Sequence, residues 1–353
     1  MGKRIRLPAG IDPHVHLRDP GATHKETFGT GTAAALAGGY CCILDMPNNQ
    51  PPVTSLEALA AKEGAAARAV CDYGFWWGGA DKNADLASQV ASRCVGMKVY
   101  MTHTFGPLLV ESAPALVRLF QAWPADRPIA VHAEGPATLA AILLGRLYDR
   151  WVHICHVSEA WQIAAIRRAK EQGFRVTCEA TPHHLFLTED DARMLGSLGQ
   201  MRPPLGTAAD RQALWDNLDV IDMLATDHAP HTLDEKRGAN PPPGVPGLET
   251  ALPLMLTAMA QGQLTLERLV ELFHGAPARL FGIAADPETF VVVETGVRAT
   301  IRGDALQTLC RWTPFEGAAV SARVLETWIR GTRAWADGQV RVAPGFGRRV
   351  APG

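Results

Sequence analysis

The chain has 353 residues, enough for one large domain with an appendage, and its 47% hydrophobic and 20% charged residues exclude a disordered polymer. A formal net charge of −2 leaves no global basic field to hold nucleic acid or an anionic membrane. No apolar run approaches the roughly 18 residues of a membrane span, the basic start MGKRIRLPAGID lacks the apolar stretch of a secretory signal, and seven cysteines fit reduced thiols in a cytoplasm.

Short apolar runs that read as strands alternate with helical segments. The predicted strands are Leu7–His16, Tyr40–Met46, Asp72–Trp77, Val95–Tyr100, Ile129–His132, Val152–His156, Phe174–Glu179 and Ile221–Asp227. Several are continuously apolar, as parallel strands covered on both faces must be. The intervening helices are predicted at Lys25–Ala37, Ser55–Val70, Ala84–Ser92, Ala113–Ala122, Ala137–Asp149, Glu159–Gln172 and Ala209–Leu218. Eight such units predict an α/β fold, a (β/α)8 TIM barrel over residues 8–280. A doubly wound sheet is the alternative, but no GxGxxG follows a strand. Beyond Leu280, short strands at Phe290–Glu294, Val297–Ile301 and Arg323–Arg330 and a hairpin around Asp337-Gly338 predict a small β appendage, shared with residues 1–7. The last stretch, APGFGRRVAPG, reads as a linker or loose tail.

The twelve histidines cluster. His14 and His16 sit two apart in IDPHVHLRDPG and would face one side of a strand. An HxH pair alone is weak, but His132, His156 and Asp227 each end another predicted strand. The C-terminal strand ends of a (β/α)8 barrel converge on one mouth, so four imidazoles and a carboxylate would meet there in a site suited to zinc or a similar divalent metal. Lys98, in the apolar run CVGMKVYM, lies at the same level. Burial favours the neutral, nucleophilic form of an amine.

The chain resembles the cyclic amidohydrolases, and within them the dihydroorotases. The likeness is carried by DPHVHLRDPG (12–21), MPNN (46–49), GMKVYMTHTF (96–105), VHAE (131–134), HICHVS (153–158), CEATPHHLFL (178–187), MRPPLG (201–206), ATDHAPHT (225–232) and PPPGVPGLET (241–250). HICH, CEATPHHLFL and WTPFEG (312–317) look most like the branch in which this domain forms part of a multifunctional pyrimidine-synthesis polypeptide. The resemblance implies a zinc enzyme that reversibly cyclises N-carbamoyl-L-aspartate to L-dihydroorotate in pyrimidine (UMP) biosynthesis. It implies two Zn2+ per chain, one held by His14, His16 and Asp227 and the other by His132 and His156, with carboxylated Lys98 bridging them. Asp227 would also carry the proton. Arg18, Asn48 and His231 match the residues that grip the substrate carboxylate, Arg202 and Pro243 match ring contacts, and Thr104 and Phe105 fall on a loop that closes over the site. Cys155 and Glu179 match positions holding a third zinc in the nearest branch. Strand alternation, however, would turn Cys155 away from its neighbour His156 and towards the helices. His103 has no assigned role.

A homodimer is expected, with no nucleic-acid or membrane partner. Only Met1–Pro8 precede the first predicted barrel strand, so the chain reads as a compact enzyme or as a domain associated with or fused to other pyrimidine-synthesis enzymes. The competing enzyme reading is an allantoinase or hydantoinase, which usually differs at the positions of Arg18 and Asn48. A catalytically dead scaffold would have lost metal ligands, and none is lost here.

Overall fold

The computed structural model describes residues 2–350. The first strand, β1 (Lys3–Pro8), belongs to the appendage. Then come β2 (Gly10–Val15), β3 (Tyr40–Asp45), β4 (Asp72–Gly78), β5 (Gly96–Tyr100), β6 (Ile129–His132), β7 (Val152–Ile154), β8 (Val176–Ala180) and β9 (Met223–Leu224). These eight pair in parallel in chain order. Every residue of β2 and of β3 is buried, which explains why they carry almost no alternation.

The barrel closes between its first and last strands just beyond their regular ends. His16 N donates to His228 O at 2.8 Å, and the Asp12 carboxylate accepts Thr226 Oγ1 at 2.5 Å and Thr226 N at 3.1 Å. At the opposite end Phe273 plugs the floor. A Cβ at Gly10 would lie 2.3 Å from its ring, so only glycine lets the two pack. Helices cover the outside, several opened by the hydroxyl caps their sequences offer, such as Thr27 before Phe28–Ala37 and Ser112 before Ala113–Ala122. No helix among the described residues is long and apolar enough to cross a membrane.

The appendage is an antiparallel sheet in the order β1, β10 (Phe290–Thr300), β11 (Ala319–Ile329), β12 (Thr332–Ala336) and β13 (Gln339–Val340). It differs from expectation in three ways. The predicted strand Leu7–His16 breaks at Ala9, and its first part joins this sheet, pairing Leu7 with Val291. The two predicted strands Phe290–Glu294 and Val297–Ile301 are one bulged strand, with a register shift between Thr295 and Ala299 around Gly296 at φ 74°. The supposed loose tail is docked up to Val350. Tyr73 N donates to Arg348 O at 3.0 Å, Val350 N donates to Tyr73 O at 2.8 Å, and Arg349 pairs with Glu63 at 2.7 Å. The last stretch therefore acts as an added edge along β4; residues 351–353 lie outside the described residues.

Candidate active site

The barrel mouth collects its polar side chains from strand ends where the backbone leaves the extended conformation. Arg18, His156 and Asp227 have φ of 60°, 36° and 45°, the left-handed region that non-glycine residues rarely occupy. Such backbone persists only where surrounding packing enforces it, and it clusters at functional sites. The turn re-aims each side chain into the barrel.

His14 Nε2, His16 Nε2 and Asp227 Oδ1 converge: Asp227 Oδ1 lies 2.9 Å from His16 and 3.3 Å from His14, and the two nitrogens are 3.2 Å apart. The outward nitrogens are tied back, His14 Nδ1 to Glu179 Oε1 at 2.5 Å and His16 Nδ1 to Asn48 Oδ1 at 2.5 Å. Each Nδ1–H donates outward, so each Nε2 presents a lone pair to the mouth. Second partners that fix tautomer and ring orientation in this way are characteristic of metal-ligating histidines. Beside them His132 Nδ1 and His156 Nε2 face each other at 2.9 Å. Lys98 is fully buried; its Nζ lies 2.8 Å from Cys155 Sγ, and no carboxylate pairs with it among the described residues. The donor atoms of His14, His156 and Asp227 all lie within 4.8 Å of one another, and so do those of His14, Cys155 and Glu179.

Burial opposes charge on all these groups, and close partners decide the outcome. Burial disfavours a charged His14, but Glu179 outweighs it and pushes its pKa up to about 10. Burial wins at His16, down to about 3. Asp227 and Glu179 resist the upward push of burial and lie below the usual carboxylate range, held down chiefly by His14 with His16 and His153 respectively. The mouth thus keeps anionic carboxylates and a neutral His16, the protonation states that bind a cation.

A second group faces the same pocket. Arg18, 4% exposed, approaches His231 Nε2 with its Nη2 at 3.2 Å and donates from Nε to Pro230 O at 3.4 Å; its buried Nη1 has no partner. His231 Nε2 is also 3.1 Å from Pro243 O. Burial, Arg18, Lys25 and Lys236 hold the His231 imidazole far below its ordinary range, so it is neutral. Phe105 packs edge-on against His231 with ring centroids 5.0 Å apart and lies 5.3 Å beneath the Arg18 guanidinium, so its loop is folded down over the mouth. Asn48, Thr104, Phe105, Arg202 and Pro243 line one pocket with His14, His16, Arg18, Lys98, His132, His156 and Asp227.

All residues predicted for the site meet around this mouth except His103, which is exposed on the loop. One orientation is corrected. Cys155 points inward, because β7 ends at Ile154 and strand alternation stops one residue before it. Sequence reasoning missed three supports. His153 holds Glu179 Oε2 at 2.9 Å, Lys25 Nζ lies 3.0 Å from His231 Nδ1, and Trp312 Nε1 donates to His231 O at 2.7 Å. His153 stands in the quoted HICH motif, and Trp312 opens the quoted WTPFEG, so both carried a signal; Lys25 carried none.

The amidohydrolase family model matches residues 5–332. The chain is 46% identical over 99% of its length to the multifunctional protein CAD of Squalus acanthias, but spans only 16% of that protein. It is 36% identical, over 98% of its length and 89% of the relative's, to a dihydroorotase of Halobacterium salinarum. Among solved structures, an L-hydantoinase (dihydropyrimidinase) from Arthrobacter aurescens superposes with a TM-score of 0.93 at 28% identity, covering 99% of this chain and 89% of that one. With the barrel, its mouth and these relatives together, the chain belongs to the amidohydrolase family and groups there with the dihydroorotases.

Proposed function

We propose that this chain is a metal-dependent dihydroorotase unit that interconverts L-dihydroorotate and N-carbamoyl-L-aspartate in pyrimidine synthesis. One observation carries the reading: a histidine–carboxylate cluster and an unpaired buried guanidinium face each other across a single pocket. The first suits a cyclic amide, and the second suits a carboxylate on that same ring.

The donor set fits divalent zinc. His14, His16 and Asp227 would hold one ion, and His132 and His156 a second. Lys98, buried without a counter-ion, would take up carbon dioxide as a carbamate shared by both. Bound there, the ions would act as Lewis acids that lower the pKa of a water and polarise the ring amide. The chain's own residues do the rest. Asp227 takes a proton as water adds to the amide carbonyl carbon, and returns it to the ring nitrogen as the C–N bond breaks. Arg18, Asn48 and His231 grip the substrate carboxylate, while Arg202 and Pro243 flank the ring. Thr104 and Phe105 cover it, and excluding water favours ring closure in the reverse direction. A third ion at Cys155, Glu179 and His14 fits less simply. His14 Nδ1 would have to give up the proton it shares with Glu179, and Glu179 would keep His153 as its other partner.

A hydantoinase reading is favoured by the structural neighbour but leaves the orphaned Arg18 Nη1 without purpose. Incubating purified protein with dihydroorotate, a hydantoin and allantoin separates the two readings. Preference for dihydroorotate supports the proposal, and preference for an uncharged ring refutes it. Because the chain spans 16% of the CAD proteins it matches, the same unit fused to other pyrimidine-synthesis enzymes, and pairing as a homodimer, belong to this proposal.

A further inference from the structure

We propose that Lys25 is a positioning residue that fixes the tautomer of His231, so that Nε2–H rather than a bare nitrogen faces the substrate carboxylate. This deepens the functional reading above and rests on it for the identity of the ligand.

Lys25 is 5% exposed and lies just before the helix Phe28–Ala37, on the far side of His231 from the pocket. Its ammonium reaches three things: His231 Nδ1 at 3.0 Å, Glu235 Oε1 at 3.0 Å, and the face of Phe105 with its centroid at 4.8 Å. Those contacts occupy its donor directions, and it does not line the pocket. It therefore has no free donor for the substrate and acts through His231.

An ammonium has only donors, so Nδ1 beside it must accept. Neutral His231 then carries its proton on Nε2. In that tautomer Lys25 donates to Nδ1 and Nε2–H donates to Pro243 O, 3.1 Å away. In the other tautomer Nδ1–H would meet a cationic donor, and Pro243 O would lose its partner. The doubly protonated ring would sit among Arg18, Lys25 and Lys236. The chosen tautomer sets a donor against the Arg18 Nη2 group at 3.2 Å. That mismatch is relieved when an anion enters and both donors, with the orphaned Nη1, turn to it. Lys25 thereby prepares a clamp that is complete only with a carboxylate present. Phe105, held by the same ammonium, ties the covering loop to the clamp.

The test joins kinetics to imidazole nitrogen NMR on the metal-loaded protein. Lys25→Met keeps the stem and removes the donor. It is expected to raise KM for dihydroorotate about 10- to 100-fold, the range for losing a hydrogen bond to a charged group, with kcat within about threefold and metal content unchanged. Lys25→Arg, which keeps an N–H donor, is expected to recover most of the loss. In wild type the His231 resonances should show protonated Nε2 and bare Nδ1, and Lys25→Met should lose that preference. Unchanged KM in Lys25→Met, or protonated Nδ1 in wild type, would overturn the proposal. The wild-type spectrum decides even if Lys25→Met does not fold. An enzyme that ignores dihydroorotate yet shows the Nε2–H tautomer would sink the substrate reading and spare the positioning.

Discussion

Removing Arg18 separates a dihydroorotase from its uncharged-ring relatives. The guanidinium is 4% exposed, one of its nitrogens lacks a partner, and its remaining contacts are Pro230 O, His231 and the Phe105 ring. None of these is a candidate metal ligand, so Arg18→Ala should leave metal content unchanged. It should leave the substrate carboxylate facing His231 and Asn48 alone. Stripping one partner from a buried charged pair costs about 2–5 kcal/mol, or roughly 30- to 5,000-fold in kcat/KM. The assay follows the ultraviolet absorbance of dihydroorotate beside dihydrouracil, the same ring without the carboxylate. Wild type should strongly prefer dihydroorotate, and Arg18→Ala should lose most of that preference because only the charged substrate suffers. Wild type turning over dihydrouracil equally well, or Arg18→Ala handling dihydroorotate normally, would refute the reasoning.

Lys98→Ala should abolish nearly all turnover, and short carboxylic acids should partly restore it; Lys98→Arg should fail as well, since a guanidinium stays protonated and cannot take up carbon dioxide. A plain ammonium at residue 98 in a high-resolution map of active, metal-loaded protein would contradict this. Asp227→Asn should keep the fold but lower kcat by several orders of magnitude, because an amide cannot carry the proton; near-normal kcat would remove Asp227 from proton transfer. Glu249, which accepts Gln307 N at 2.9 Å and Thr308 N at 3.0 Å, has its pKa raised by burial from 4.5 to about 7. The folded state binds the extra proton, so this group's contribution is fully present below about pH 4.5 and is lost as pH rises through about 7. Chemical denaturation of wild type and Glu249→Gln across that window should show wild type losing stability relative to the variant as pH rises; parallel curves would count against a raised pKa.

The barrel was legible because its strands are continuous apolar runs separated by capped helices, and β6 matches its predicted span Ile129–His132. The site was legible because its ligand-type residues stand at the ends of such runs. What failed was local geometry. Alternation assigned Cys155 to the outer face, but alternation needs a strand, and β7 stops at Ile154 before the turn at His156. It also placed Arg18 correctly for the wrong reason: β2 ends at Val15, and a left-handed turn aims Arg18 into the pocket. The tail looked loose because it is rich in glycine, proline and arginine. Its order comes from backbone pairing with Tyr73 and ion pairing with Glu63, long-range contacts without a local signature. Lys25 escaped for the same reason, since its partner His231 lies 206 residues away.

The central claim is that the histidines and Asp227 at the barrel mouth hold the metal on which dihydroorotate chemistry depends. Its most direct test is elemental analysis and dihydroorotate turnover measured together on wild type, chelator-stripped, zinc-restored and His14→Ala protein. At least two zinc ions per chain are expected in the active wild type, with activity lost on stripping, recovered on restoring, and absent in His14→Ala with a metal site emptied. Full turnover by protein that holds no divalent metal would contradict the account.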